Sequence, residues 1–342
     1  MARIYLTSVA EKSGSEGDAN LVPLRVLQAA AATDRRREHE TVDAPDRADL
    51  ILFCESHRDD SASGPYFEQI RSDPVFRKYR DKSVIISGMD RIVPLMPGIY
   101  ASMERGWHRR SVARSGPYLV DSNPFLRYCP LDQMPTDVGW LASFIGSAKN
   151  KAVRLRMLQL RDDRILLEDT SGPFVDAIRA GDEARLNEMK RYYVEMTLAS
   201  KFSLCPRGTG SSSFRVFESL EMGRAPIIVS DAWVEPDGID WGRCSLRIRE
   251  DQIDRIPAIL REREADAVAM GKAARQAWED NFGPDQMFHW IASQALLLQE
   301  TGPISRRVDS SLAWLQFARP YHLKRLLKQT KSKGARLLGL RK

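Results

Sequence analysis

A chain of 342 residues, 43% of them hydrophobic and with a formal charge of +6, has enough apolar side chains to fill two cores of ordinary domain size. No run approaches the roughly 18 to 20 apolar residues that a helix needs to cross a bilayer, and the opening MARIYLTSVAEKSG turns polar too early for a secretory signal. Cys54, Cys129, Cys205 and Cys244 show no paired metal-ligand spacing and are too few for a disulfide scaffold. The expectation is a cytoplasmic α/β protein with reduced, mostly buried thiols.

In chain order, residues 3–6 read as a first strand, 21–32 as a helix, and 48–54 and 82–87 as further buried strands. Strands alternating with helices imply a parallel sheet, and such sheets bind ligands beyond the carboxyl ends of their strands. That rule singles out Glu55 and His57 after one strand and Asp90 after another. Glu55 or Asp90 could serve as a general base, or either could be a loop carboxylate or helix cap. His108 lies in Gly106-Trp107-His108-Arg109-Arg110, a basic aromatic patch able to touch a glycan or simply to coat the surface. Residues 94–98 form a Pro/Gly loop, 117–130 are turn-rich, and 131–139 mark the boundary between domains. Acidic pairs at Asp59-Asp60 and Asp162-Asp163 follow no strand of the second half, so no metal-binding acidic motif is indicated.

Residues 201–256 carry most of the functional signal. They read as a strand, a Gly/Ser-rich loop over 207–213, a short helix, a glycine stop at Gly223 and a buried strand over 225–229. That order presents small-residue backbone to an anion, with a serine among Ser211 to Ser213 capping the helix. On the helix, Phe214, Val216, Phe217 and Leu220 share an apolar side, while Arg215, Glu218 and Ser219 lie opposite. An arginine in a first helical turn is a poor match to the helix dipole, which makes sense beside an anionic ligand. The alternative is a surface ion pair between Arg215 and Glu218, worth about 0.3 to 0.5 kcal/mol.

The run LCPRG, then SSSFRVFESLEMGRAPIIVSDAWVEP, then IDW and a later E-D-x-I-x-x-I-P resembles the donor-binding half of the exostosin-like glycosyltransferases. The order holds through Cys205-Pro206, Phe214-Arg215, Phe217-Glu218, Gly223, Pro226, Asp231, Pro236, Asp240-Trp241 and Ile256-Pro257, with a weaker echo in Phe144, Gly146, Arg154 and Arg156. Outside residues 140–262 the resemblance is one of layout only. It implies an α/β GT-B fold, two Rossmann-like domains facing across a cleft. Residues 1–135 would form the acceptor side, 136–310 the nucleotide-sugar side and 311–342 a basic tail. It also implies inverting transfer from a UDP-sugar or GDP-sugar to a glycan or lipid-linked sugar, with arginines rather than a metal or cofactor balancing the diphosphate. By position, Arg215 would contact the diphosphate and Glu218 the ribose hydroxyls. Arg207, Gly208, Ser212 and Ser213 would shape the nucleotide loop, Asp231 and Trp233 would lie near the sugar, and Arg154 would be a second phosphate ligand. One of Arg154 and Arg156 is expected instead on a solvated helix face. The alternative from another class is a non-catalytic glycan-binding or scaffolding subunit, against which the presence of both Arg215 and Glu218 argues.

Beyond Ser310 the chain has nine Lys or Arg residues and no Asp or Glu, leaving the body slightly acidic. Leucines between these charges make a basic amphipathic segment suited to an anionic membrane surface; nucleic acid or plain solvent are the rivals. No nucleic-acid module is recognisable, so a peripheral position at the inner face of the membrane is the expectation.

Overall fold

The structure is a computed structural model describing residues 1–11, 19–55, 65–90, 92–133, 139–149, 151–300 and 314–319. His57, the Asp59-Asp60 pair and all but six residues of the basic segment 311–342 lie outside the described residues.

Two parallel sheets organise the chain. The first contains β1 (Ala2–Thr7), β2 (His39–Thr41), β3 (Leu50–Glu55), β4 (Ser83–Ser87), β5 (Gly98–Tyr100) and β6 (Ala113–Ser115), in the order β2-β1-β3-β4-β5-β6. The second contains β7 (Trp140–Gly146), β8 (Ile165–Asp169), β9 (Ser200–Pro206), β10 (Ala225–Val229) and β11 (Leu246–Ile248), in the order β11-β10-β9-β7-β8. All pairings within them are parallel. This is a two-sheet parallel α/β layout, as the sequence leads one to expect. Strands β3, β4 and β10 are buried throughout, as central strands covered on both faces must be, which is why they read as continuous apolar runs. The three-residue strands β2, β5 and β6 are too short to show a period.

Each sheet has one point where the strand order reverses, between β1 and β3 in the first and between β7 and β9 in the second. Loops leaving these strands diverge there and open a crevice. Close packing at the sheet ends demands glycine at two places. A Cβ on Gly98 would meet the Tyr100 ring at 2.8 Å and the Ile85 carbonyl at 2.9 Å, and Gly223 ends its helix at φ +68.

The helix Met287–Gln299 returns to the first sheet, packing on β5, β6 and the helix Val22–Thr33, with Gln299 Nε2 donating to the Asp49 and Lys82 carbonyls. A second tie is Arg224, fully buried, whose guanidinium donates to the carbonyls of Cys129, Leu198 and Ser200. Cys54, Cys205 and Cys244 are buried free thiols, and burial raises the pKa of each. Among the described residues no helix is long and apolar enough to cross a membrane.

His39 on β2 stacks on His289 of the returning helix, ring centroids 5.3 Å apart, and each has a buried Nδ1 without a partner. Burial first, then the charge of His289, pushes the His39 pKa down, against the pull of Glu38 and Asp34; the chain's amino terminus also lowers it. Folding therefore favours neutral His39. Its contribution is complete above the unfolded-state value near about 6.5 and is lost as pH falls through the lower folded value. Calorimetric unfolding midpoints should accordingly drop on acidification below that range, and His39→Gln should flatten the drop.

Candidate functional site

The reversal between β7 and β9 gathers three cationic side chains, Arg154, Arg215 and Lys151. Arg154, one turn into the helix Ala152–Met157, is buried and donates from Nη1 to the Ser147 carbonyl at 2.8 Å and from Nε to the Arg207 carbonyl at 3.2 Å. Arg215, the first residue of the helix Arg215–Glu221, donates from Nη2 to the Ile145 carbonyl at 2.7 Å. Both guanidinium carbons lie 5.5 Å from the centroid of the Phe144 ring, so the two arginines share one aromatic support. Lys151 joins them, its ammonium 3.2 Å from the Ser147 carbonyl. Burial, then repulsion from Arg215, brings the Arg154 pKa down to about 10; burial, then Arg154 and Arg215, lowers that of Lys151. Like charges crowded and partly desolvated in this way repel, offset only in part by Asp90, and an anion joining them would relieve that cost.

Unpartnered polar atoms mark the same spot. Among the buried side-chain atoms without a hydrogen bond are Ser213 Oγ and Arg215 Nε, while the Ser212 side chain lies against the Tyr118 hydroxyl. Buried polar groups are ordinarily satisfied, so two unpartnered atoms this close together beside two arginines make a candidate cradle for an anion. Gly146 permits it. A Cβ there would come within 2.3 Å of Arg215 Nη2, so Gly146→Ala should displace the guanidinium and weaken pyrophosphate binding by about 1 to 3 kcal/mol. Calorimetry measures that loss, and circular dichroism should show the fold retained. A Cβ on Gly208 would lie 3.3 Å from Arg154 Nη2, and the Gly208 N–H donates to the Ser212 carbonyl.

Glu218 lies one turn below Arg215 and accepts from the Tyr193 hydroxyl at 2.8 Å. Burial raises its pKa, opposed by Arg215 and by that hydrogen bond. No Arg215–Glu218 ion pair is present among the described residues, and both side chains face packed structure rather than solvent. The surface-pair alternative is thereby removed.

Several expectations change. Phe214 is 42% exposed instead of packed with Val216, whereas Ser219 is fully buried and bonded to Ser203 and the Arg215 carbonyl. The helix carries Phe214 at its N-cap with no side-chain cap, so none of Ser211 to Ser213 performs that role. Trp233 does not face an open site: it is fully buried, its indole N–H donates to the Ala101 carbonyl, and its ring meets Phe217 and Trp241 edge-on. Arg207 forks onto Glu250 at 2.7 and 3.1 Å, and Asp231 accepts from the Glu250 N–H at 3.0 Å, so these two hold the loop together. Arg156 pairs outward with Asp254.

Trp233 belongs to a seam that joins the sheets. Arg105 N–H donates to the Ala232 carbonyl at 2.7 Å and Val234 N–H to the Met103 carbonyl at 2.9 Å, while Gly210 packs so tightly that a Cβ would meet the Asp90 carbonyl at 2.4 Å. Asp90 is thus carried from the first sheet to the edge of the cradle, where its charge acts on Lys151, Arg154 and Tyr118. Glu55 is buried at the other reversal point, accepting from Ser8 Oγ at 2.9 Å and Val9 N–H at 2.8 Å. His108 is half-buried with Nε2 unpartnered, and burial lowers its pKa. Among the described residues no cluster of three or more His, Cys, Asp or Glu could hold a metal ion.

Two parallel sheets with a cationic cluster at a reversal point define an α/β protein with a candidate anion site. Residues 97–263, a little under half of the chain, match the Exostosin GT47 domain, and the match begins well upstream of residue 140 and takes in β5 and β6. Exostosin-1 of Drosophila melanogaster is 33% identical over 131 residues, 37% of this chain and 17% of that protein. A probable glucuronosyltransferase of Oryza sativa subsp. japonica is 38% identical over 71 residues, 20% of this chain and 17% of that protein. The matched stretch thus spans about a sixth of these relatives. Among solved structures, the Anabaena protein Alr3699/HepE in complex with UDP and glucose aligns at 10% identity with a TM-score of 0.42, covering 86% of this chain and 99% of that one. A Rickettsia africae glycosyltransferase aligns at 9% identity with a TM-score of 0.40, covering 88% and 99%.

Proposed function

We propose that this chain transfers a sugar from a nucleotide-diphosphate sugar to a carbohydrate acceptor with inversion, in the assembly of a surface polysaccharide or related glycan. The observation that carries this reading is the pair of guanidiniums, Arg154 and Arg215, on the Phe144 ring beside the unpartnered Ser213 hydroxyl. In an inverting displacement the acceptor oxygen attacks the anomeric carbon as the diphosphate leaves from the opposite face. Positive charge must meet the leaving group and a base must take the acceptor proton. Arg154, Arg215 and Lys151 supply the charge without a cofactor, Glu218 accepts from the ribose hydroxyls, and Asp90 across the seam is the base. Chromatographic detection of free nucleoside diphosphate, after incubation with UDP-sugars or GDP-sugars and a glycan acceptor, tests the reading. Release above the protein-free control is expected; absence of release with every donor and acceptor would remove transferase activity.

The basic segment 311–342 is proposed to hold the enzyme at an anionic membrane surface, near lipid-linked acceptors. Each Lys or Arg near such a surface contributes up to about 1 kcal/mol, weakened by salt. Truncation at residue 319 should abolish co-sedimentation with anionic vesicles while leaving nucleotide binding intact; equal pelleting of both forms would contradict it.

A further inference from the structure

Phe214 breaks two local rules at once. It occupies the N-cap of the helix Arg215–Glu221, where a serine or asparagine side chain would satisfy a helix N–H and a phenylalanine cannot. Its ring is also 42% exposed, between Ser213 at 4% and Val216 at 1%. An apolar ring held out of the core at a position that forgoes a cap is a departure expected where a ligand completes the environment. The neighbours point the same way. Ser213 Oγ and Arg215 Nε, on either side of it in sequence, are buried and unpartnered.

The ring is anchored on one side. The Arg215 guanidinium carbon lies 5.1 Å from its centroid and 5.4 Å from that of Tyr193, whose hydroxyl holds Glu218. Phe214 therefore borders the same cage as the groups assigned to the diphosphate and the ribose. A partly exposed aromatic ring beside those groups suits a flat, polarisable partner. We propose that Phe214 is the platform on which the nucleobase of the donor stacks, an inference that rests on the nucleotide reading of the cradle. Stacking of this kind is tolerant of base identity because every base has a π-face. Discrimination between bases would then come from other contacts.

Calorimetric titration of the full chain with UDP, GDP and inorganic pyrophosphate tests this. Phe214→Leu, which keeps apolar bulk and loses the ring face, should weaken the nucleoside diphosphates roughly ten- to hundred-fold and leave pyrophosphate within about two-fold. Phe214→Trp should retain nucleotide affinity, with an indole fluorescence quenched by UDP or GDP and unaffected by pyrophosphate. Nucleotide affinity unchanged in Phe214→Leu, or an equal loss for pyrophosphate, would overturn the platform and leave the ring as a support for Arg215. Wild-type protein that binds pyrophosphate but neither nucleotide would overturn the parent reading instead, and the platform with it.

Discussion

Replacing Arg215 with lysine should weaken nucleoside diphosphate binding by about 1 to 3 kcal/mol and leave the fold intact. The guanidinium uses one edge, at Nη2, to hold the Ile145 carbonyl, and its buried Nε has no partner. A planar fork can keep the carbonyl and still present a donor to a phosphate oxygen. An ammonium has one nitrogen to share among these tasks and cannot lie flat among the rings of Phe144, Tyr193 and Phe214. Calorimetry with UDP or GDP reads the loss. Undiminished affinity would make Arg215 a packing residue that only braces β7.

Asp90→Asn should lower turnover by about 10²- to 10⁴-fold with little change in donor affinity, because a base on the acceptor hydroxyl acts in the transition state and not on bound donor. The seam carries the argument. Gly210 brings the serine-rich loop onto the Asp90 backbone, and the Asp90 charge reaches Arg154 and Lys151. Glu55 contrasts with it. Its carboxylate accepts from Ser8 Oγ and Val9 N–H in a buried site, so Glu55→Gln should lower the unfolding midpoint before it affects proton transfer. Steady-state kinetics beside thermal unfolding separates the two. Full activity in Asp90→Asn with inactive, well-folded Glu55→Gln would exchange their roles.

Arg215 and Glu218 are legible in sequence because their spacing and the motif around them are local, three residues apart on one short helix. Lys151 and Tyr193 are not, since each meets Arg215 only after strands distant in the chain are laid side by side, and nothing near either residue announces the encounter. Trp233 stands at the end of a motif strand, where an aromatic suits a sugar equally well. Only the Ala101 carbonyl and the rings of Phe217 and Trp241 turn it into a pin between the two sheets. Helical periodicity assigns Phe214 to the core and Ser219 to solvent, and the structure reverses both. Ser219 bonds Ser203 on β9, a contact that a helical wheel cannot contain. The long strands β1, β3 and β4 are readable from apolar runs, whereas β5 and β6 exist through pairing in the sheet, because three residues hold no period of their own.

A thermal-shift titration of the wild-type chain with UDP, GDP, CDP and ADP, alongside pyrophosphate, tests the cradle most directly. A ligand that binds only the folded state at a hundred times its dissociation constant stabilises by about 2.7 kcal/mol, and the midpoint climbs with concentration. At least one nucleoside diphosphate should raise the midpoint in this way, pyrophosphate should raise it less, and Arg154→Met combined with Arg215→Lys should abolish both shifts. Midpoints that stay constant with every nucleotide at millimolar concentration, or shifts that survive in the double variant, would contradict a diphosphate held by Arg154 and Arg215.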